Sequence, residues 1–250
     1  MELDVTFFAY AIPAVLFMGV SKGGFGSGAG FAATPLLALV MEPAQAVGLM
    51  LPLLMLMDVT GLKPWWRKWN WPRARVLMAG SIPGVVLGAL FFRAVSADGI
   101  RLLVGLIAIG FVAWSIARSR GWLAQSTRLP GTASGLFWGM MTGFTSFVSH
   151  AGGPPASMYM LGCRLDKTAY QATSVIVFWW VNLVKFLPYA ALGMFTAQSL
   201  RADLMLAPVA VAGVMLGVWA NRVIAQTWYF RLTYALLLVT GSKLVFDALT

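Results

Sequence analysis

Charge, histidine and cysteine are scarce in this chain. Only 10% of its 250 residues are charged, and it has a single histidine, His150, and a single cysteine, Cys163. A lone cysteine closes no internal disulfide and says nothing of redox compartment. One histidine without Cys, Asp or Glu beside it is not the donor set of a metal site, so no metal is expected. No Gly-x-x-x-x-Gly-Lys-Ser/Thr run occurs, which argues against ATP hydrolysis by this chain, and no cofactor is expected. Eight acidic residues face 18 Lys and Arg, a net charge of +10. Such an excess fits nucleic acid only when it gathers on one face. Here the bases fall in short turns, the pattern of topological anchors against anionic lipid, and no nucleic-acid partner is expected.

Apolar residues are abundant instead. The chain is 60% hydrophobic with a mean hydropathy of +0.80, and apolar runs of about 20 residues, the length that spans a hydrocarbon core, recur from end to end. The alternation of a transmembrane barrel is absent. The expected fold class is all-α: a polytopic helical membrane protein, one integral domain over 1–250 with short loops. The first apolar run follows Glu2 and Asp4 and not a basic segment, so it reads as a mature helix and not a signal peptide. The spacing predicts helices at about 5–20, 29–41, 44–62, 75–95, 100–117, 131–147, 154–163, 168–193, 203–222 and 228–249. The second and seventh are too short to cross a ~30 Å core, and each reads as one arm of a re-entrant hairpin or half of a broken helix.

Two glycine-rich breaks interrupt the apolar pattern at matching places. The first runs Ser21-Lys22-Gly23-Gly24-Phe25-Gly26-Ser27-Gly28-Ala29-Gly30; the second runs Ser149-His150-Ala151-Gly152-Gly153-Pro154-Pro155. Further on, Gly84-Val85-Val86-Leu87-Gly88 corresponds to Gly213-Val214-Met215-Leu216-Gly217, and Arg101-Leu102 to Arg231-Leu232. These correspondences suggest two homologous halves, 1–120 and 130–250. Charge bears on how they are oriented. If each break only interrupts a spanning helix, nine loop bases face six. If each is the tip of a hairpin, the split becomes twelve against three, with only Arg93, Arg101 and Arg201 opposite. The positive-inside rule therefore favours hairpins and inverted halves, with both termini outside; a tandem duplication with eight spans is the competing count.

Non-helical backbone at membrane depth is tolerated only around a protein-lined cavity, so the paired breaks are the expected binding site. Glycines let backbone N–H groups approach a ligand, and the helix starts after the breaks direct positive dipole ends inward, an arrangement suited to an anion. Lys22 lies at the first break and His150 at the second, with Ser27 at the corresponding place in the first half. A lysine in an apolar region is functional unless it snorkels to the interface. The expected substrate-binding set is Ser21, Lys22, Gly24, Ser27, Gly28, Gly30, Ser149, His150, Gly152, Gly153, Pro154 and Tyr159. Asp58 and Lys185 are candidate gate or coupling residues, expected at opposite ends of their helices and not in one salt bridge. Thr142, Thr145 and Ser146 either line the site or bond their own helix carbonyls. Tyr170, Gln171, Thr173, Ser174 and Asn182 are further candidates to reach the centre. The tryptophans Trp65, Trp66, Trp69 and Trp71 among Lys63, Arg67 and Lys68 read as an interfacial belt.

The glycine-rich first break leading to Pro35-Leu36, the Gly152-Gly153-Pro154-Pro155 turn followed by Tyr159, and the duplicated plan together resemble the TauE/SafE sulfite exporter family over essentially the whole chain. Ser21-Lys22 and the interrupted Gly26-Ser27-Gly28-Ala29-Gly30 stand where the family has a simpler triple glycine. The resemblance implies a multi-pass transporter of the bacterial cytoplasmic membrane that carries a small anion such as sulfite, a sulfonate or a carboxylate. The residues point the same way: alternating access around paired hairpins, with a proton or sodium ion as candidate coupling ion and a homo-oligomer left open. An anion channel is the nearest alternative. An intramembrane enzyme with His150 as base would need Ser146 or Ser149 as nucleophile, and no third orienting group is visible in the sequence.

Overall fold

The computed structural model describes residues 3–25, 32–122, 129–223 and 226–250. Ten α-helices run in chain order: α1 Val5–Val20, α2 Ala33–Leu37, α3 Pro43–Trp65, α4 Trp71–Ala94, α5 Ala97–Ser119, α6 Thr132–Ser149, α7 Gly153–Gly162, α8 Lys167–Ala191, α9 Ala197–Val223 and α10 Gln226–Leu249. Among the described residues there is no strand. Among the described residues, six helical stretches are long and apolar enough to cross a membrane: Val5–Phe25, α3, α4, α5, α8 and Ala197–Asn221 of α9. Leu87, Leu90, Leu204, Met205 and Trp219 project outward from these stretches, where only lipid could cover them. The protein is an all-helical, multi-pass membrane protein.

Local chemistry sets the helix starts. Asp4 accepts a hydrogen bond from the Phe7 N–H at 2.7 Å, Asn70 caps α4 through the Arg73 N–H, and Ser96 caps α5 through Gly99. Asp166 accepts from both Thr168 and Ala169 at 2.9 Å. The start of α9 lies six residues before the expected 203. Thr196 and Ser199 exchange side-chain and backbone bonds at 3.0 Å, a reciprocal cap that opens the helix ahead of its apolar run. The first break also departs from expectation. The chain does not leave the helix at Ser21 but widens into a π-helical turn over Ser21–Phe25.

Small residues let the helices approach to backbone contact. On α1 and its π turn, Gly19 and Gly23 meet Gly213 and Val214 of α9, and Gly24 meets Gly217. On α4, Gly80 and Gly84 meet Leu136 and Met140 of α6, while Gly139 and Gly143 of α6 meet Leu77, Gly80 and Ser81. Both seams repeat glycine every four residues, the spacing that brings helices together where lipid supplies no hydrophobic drive. A Cβ on Gly19 would lie 2.9 Å from Gly213 Cα, so an added methyl must push the two backbones apart. Along these seams α1 packs on α9 and α6 on α4. The remaining long helices pair α3 with α8 and α5 with α10. After His150, α7 doubles back beside α6, bringing Tyr159 against Gly135 and Gly162 against Pro130.

Candidate functional site

The π turn is held by its carbonyls. Gln171 Nε2 of α8 donates to Lys22 O at 2.8 Å, Trp65 Nε1 of α3 donates to Gly23 O at 3.2 Å, and Asn221 Nδ2 of α9 donates to Gly24 O. A widened turn leaves carbonyls without their usual helical partners, and three side chains from three helices supply the donors. Ser21, Lys22 and Gly24 are all buried here. Ser27, Gly28 and Gly30 lie outside the described residues. Trp65 is not confined to an interfacial belt, since its indole turns inward to this turn. Asn221 was absent from the sequence-based set, although it continues the four-residue stripe of Gly213 and Gly217 on α9.

The second break is built differently. His150 ends α6 in the left-handed region at φ 56°, a conformation that glycine adopts without cost and that a larger side chain rarely takes. Its N–H returns to Ser146 O at 3.0 Å and the Ala151 N–H to Thr145 O at 3.2 Å, which turns the imidazole inward. Gly152 follows, and a Cβ there would lie 2.9 Å from both Phe178 Cε1 and Ser146 Cβ. Gly153 and Pro154 open α7, buried behind this turn. The two breaks share one apolar cluster: Ala32, just after the first, and Ala151 both belong to the group formed with Ala108, Phe111 and Leu237.

Between the breaks lies a concentration of buried charge. Lys22, 6% exposed, pairs with Oδ1 of Asp58, 1% exposed, and also donates to Leu54 O at 3.4 Å. Asn182 Nδ2 of α8 donates to the other carboxylate oxygen at 2.6 Å. Lys22 therefore does not snorkel to an interface; it ends on a carboxylate inside the protein. Across from it, Lys185 is 0% exposed, and its Nζ contacts Ser146 O at 3.1 Å, Ser146 Oγ at 3.0 Å and His150 Nδ1 at 2.8 Å. The other ring nitrogen of His150 lies 2.9 Å from Val47 O of α3. Each break thus sends one side chain to a long helix: Lys22 to Asp58 of α3, and His150 to Lys185 of α8.

A cavity of about 20 Å³, measured as space open to the centre of a water-sized sphere, separates the two groups. Met18, Leu54 and Phe178 form its apolar wall, and Lys22, Ser146, His150 and Asn182 its polar one. That volume admits about one water, so an oxyanion of several heavy atoms enters only if the walls part. Lys185 stands directly behind the wall made by Ser146 and His150. Among the described residues no carboxylate lies within ion-pair distance of Lys185, and no group of three His, Cys, Asp or Glu gathers as for a metal. Asp58 pairs with Lys22, whereas the Lys185 amine meets only the neutral serine and the imidazole.

Other expected residues sit away from this cavity. Tyr159 accepts from Arg73 Nη1 at 3.3 Å, and the same Nη1 donates to Pro130 O at 2.8 Å, so the tyrosine ties α7 to α4 and does not line the cavity. Tyr170 bonds Ser157 at 2.7 Å, and Thr173 Oγ1 accepts from the Asn70 N–H at 2.9 Å. Thr142, Thr145 and Ser149 donate to Trp138 O, Met141 O and Thr145 O of their own helix; of this polar group Ser146 alone is in the cavity wall.

No curated protein and no solved structure matches the chain. A family model described as "Sulfite exporter TauE/SafE" matches residues 11–244, a stretch that contains both breaks, the buried charges and the two glycine seams. The chain belongs to the sulfite exporter TauE/SafE family.

Proposed function

We propose that this protein transports a small oxyanion, sulfite or a related sulfonate or carboxylate, by alternating access at the cavity between Lys22 and His150. The observation that carries the reading is Lys185: a fully buried lysine whose contacts are a serine and a histidine, beside a lysine already paired with Asp58. An uncompensated charge inside a membrane protein is costly, and an anion in the adjoining cavity would offset it. Ser21, Gly24, Ser149, Gly152, Gly153 and Pro154 shape the two turns around that anion. The Lys22–Asp58 pair serves as a gate, since an anion that attracts Lys22 loosens its hold on Asp58.

The packing is consistent with two halves related by a two-fold axis, and the distribution of loop bases favours the inverted arrangement. The pairing of α1 with α9 mirrors that of α6 with α4, whereas α3 and α8, and α5 and α10, pair with their own counterparts, as a two-fold axis between halves requires. In this scheme the glycine seams keep each swapped helix pair rigid, and the pairs rock about the central cavity. One contact favours an enzyme, the 3.0 Å approach of Ser146 Oγ to Lys185 Nζ. A serine–lysine hydrolase also needs donors aimed at a developing oxyanion and room for an acyl substrate beside the serine, and the cavity here admits about one water.

Ligand-induced thermal stabilisation of the purified protein tests the reading. Sulfite, sulfoacetate and acetate should raise the melting temperature in proportion to affinity, Lys185→Arg should weaken the effect and Lys185→Met should abolish it. Equal stabilisation of wild type and Lys185→Met would remove Lys185 from the site.

A further inference from the structure

The hydrogen-bond geometry fixes where the protons lie around His150. Val47 O can only accept, so the 2.9 Å contact requires a proton on Nε2 of the ring. The three acceptors around Lys185 Nζ, namely Ser146 O, Ser146 Oγ and His150 Nδ1, match the three N–H bonds of an ammonium. With Nζ as the donor the contact holds one proton between Nζ and Nδ1, and with Nζ as an ammonium the pair carries a single positive charge. The other titratable groups around it are the Lys22–Asp58 pair, from the π turn and α3, and Tyr189 of α8. Tyr189 donates its hydroxyl proton to Phe147 O at 2.5 Å and presents its ring to Lys185 Nζ at 5.7 Å.

We propose that His150 Nδ1 is the site of a coupling proton, taken up together with the anion. This inference rests on the oxyanion reading of the cavity. A second proton on Nδ1 would set two donors and two positive charges against each other at 2.8 Å, which the protein alone does not tolerate. An oxyanion in the cavity resolves the conflict. The proton, delivered from water on the side to which the site is open, occupies the Nδ1 lone pair; the Lys185 N–H that had pointed there is freed. Both N–H groups then donate to oxygens of the same anion, next to Ser146. The ligand-free pair is a closed lock with its donors satisfied, and the doubly protonated pair is a two-pronged oxyanion clamp. Because binding linkage is reciprocal, the anion raises the proton affinity of Nδ1 by the factor by which the proton raises anion affinity. Full coupling gives about a tenfold gain in anion affinity per unit fall in pH, with about one proton taken up per anion.

His150 is the only histidine in the chain, so in the full-length protein labelled with ¹⁵N-histidine the two ring signals belong to it alone. In lipid nanodiscs without anion, the ring should stay in the neutral form protonated on Nε2 from alkaline to mildly acid pH. Sulfite, and sulfate as an oxyanion that does not itself titrate in this range, should bring a proton onto Nδ1 at mildly acid pH. Lys185→Met removes the competing N–H donor and should let Nδ1 take up a proton more readily than in wild type without any anion. A ligand-free ring protonated on Nδ1 in wild type, a measurement that needs no variant to fold, would overturn the proposal. So would transport of sulfite with Nδ1 never protonated, which leaves the oxyanion reading intact. The expected ligand-free signals with no response to either anion, and no sulfite flux, would instead refute the oxyanion reading, and with it the coupling proposed here.

Discussion

Asp58 and Asn182 each lie fifteen residues beyond the first residue of their helix, Pro43 of α3 and Lys167 of α8, and they hydrogen-bond to one another at 2.6 Å. Two carboxylates there would repel; a carboxylate and a carboxamide bond. Asp58 thereby keeps its other oxygen for Lys22, while among the described residues no carboxylate reaches Lys185.

Removing the charge of Asp58 should therefore strand Lys22. Asp58→Asn leaves a buried ammonium unpaired and should lower stability by about 3–5 kcal/mol, read as a fall in melting temperature and in yield of folded protein. Lys22→Met combined with Asp58→Asn should recover most of that stability without recovering transport. A double variant as unstable as Asp58→Asn alone would show that Asp58 acts through some other group.

The glycine seams should be intolerant in proportion to backbone proximity. Gly23→Ala drives a methyl into Val214 O and Gly84→Ala drives one into Met140 O, each expected to cost about 1–3 kcal/mol in thermal or denaturant unfolding. Gly110→Ala on α5, with nothing within 4 Å of the added Cβ, should stay within about 1 kcal/mol of wild type. Equal losses at all three positions would mean that helix propensity and not contact sets the cost.

Inverted halves make a statement about sidedness. In a Cys163→Ser background, impermeant thiol reagents should reach Asp98→Cys and Arg201→Cys from outside and Lys68→Cys only after permeabilisation. All three replaced positions are exposed, so access and not burial decides the outcome. Asp98→Cys and Arg201→Cys labelled from opposite faces would restore the eight-span tandem duplication.

Much of this architecture was legible in the sequence because membrane helices are written in long apolar runs, and breaks in them are written in glycine. Helix α8 and the turn at His150 fall within a few residues of their expected bounds. The reciprocal cap of Thr196 and Ser199 explains why α9 began early, a local signal carried by the side chains and not by hydropathy. The pairing of Lys22 with Asp58 was not legible, because 36 residues separate them and the π turn sets the direction of the lysine. Nor was the inward indole of Trp65, whose partner Gly23 O lies 42 residues earlier. Tyr159 sits in the motif that carries the resemblance, yet its hydroxyl serves Arg73, since α7 doubles back beside α6 and takes it away from the cavity.

The most direct test of anion transport centred on Lys185 is radiolabelled sulfite flux into proteoliposomes, measured as uptake and as counterflow against internal unlabelled sulfite. Wild type should show saturable uptake accelerated by internal substrate, as a carrier with alternating access does, and Lys185→Met should lose it by at least about tenfold, the factor that follows from losing one charge-assisted contact worth at least about 1.5 kcal/mol. Non-saturable flux without counterflow would mark a channel, and wild-type flux in a well-folded Lys185→Met protein would contradict the account.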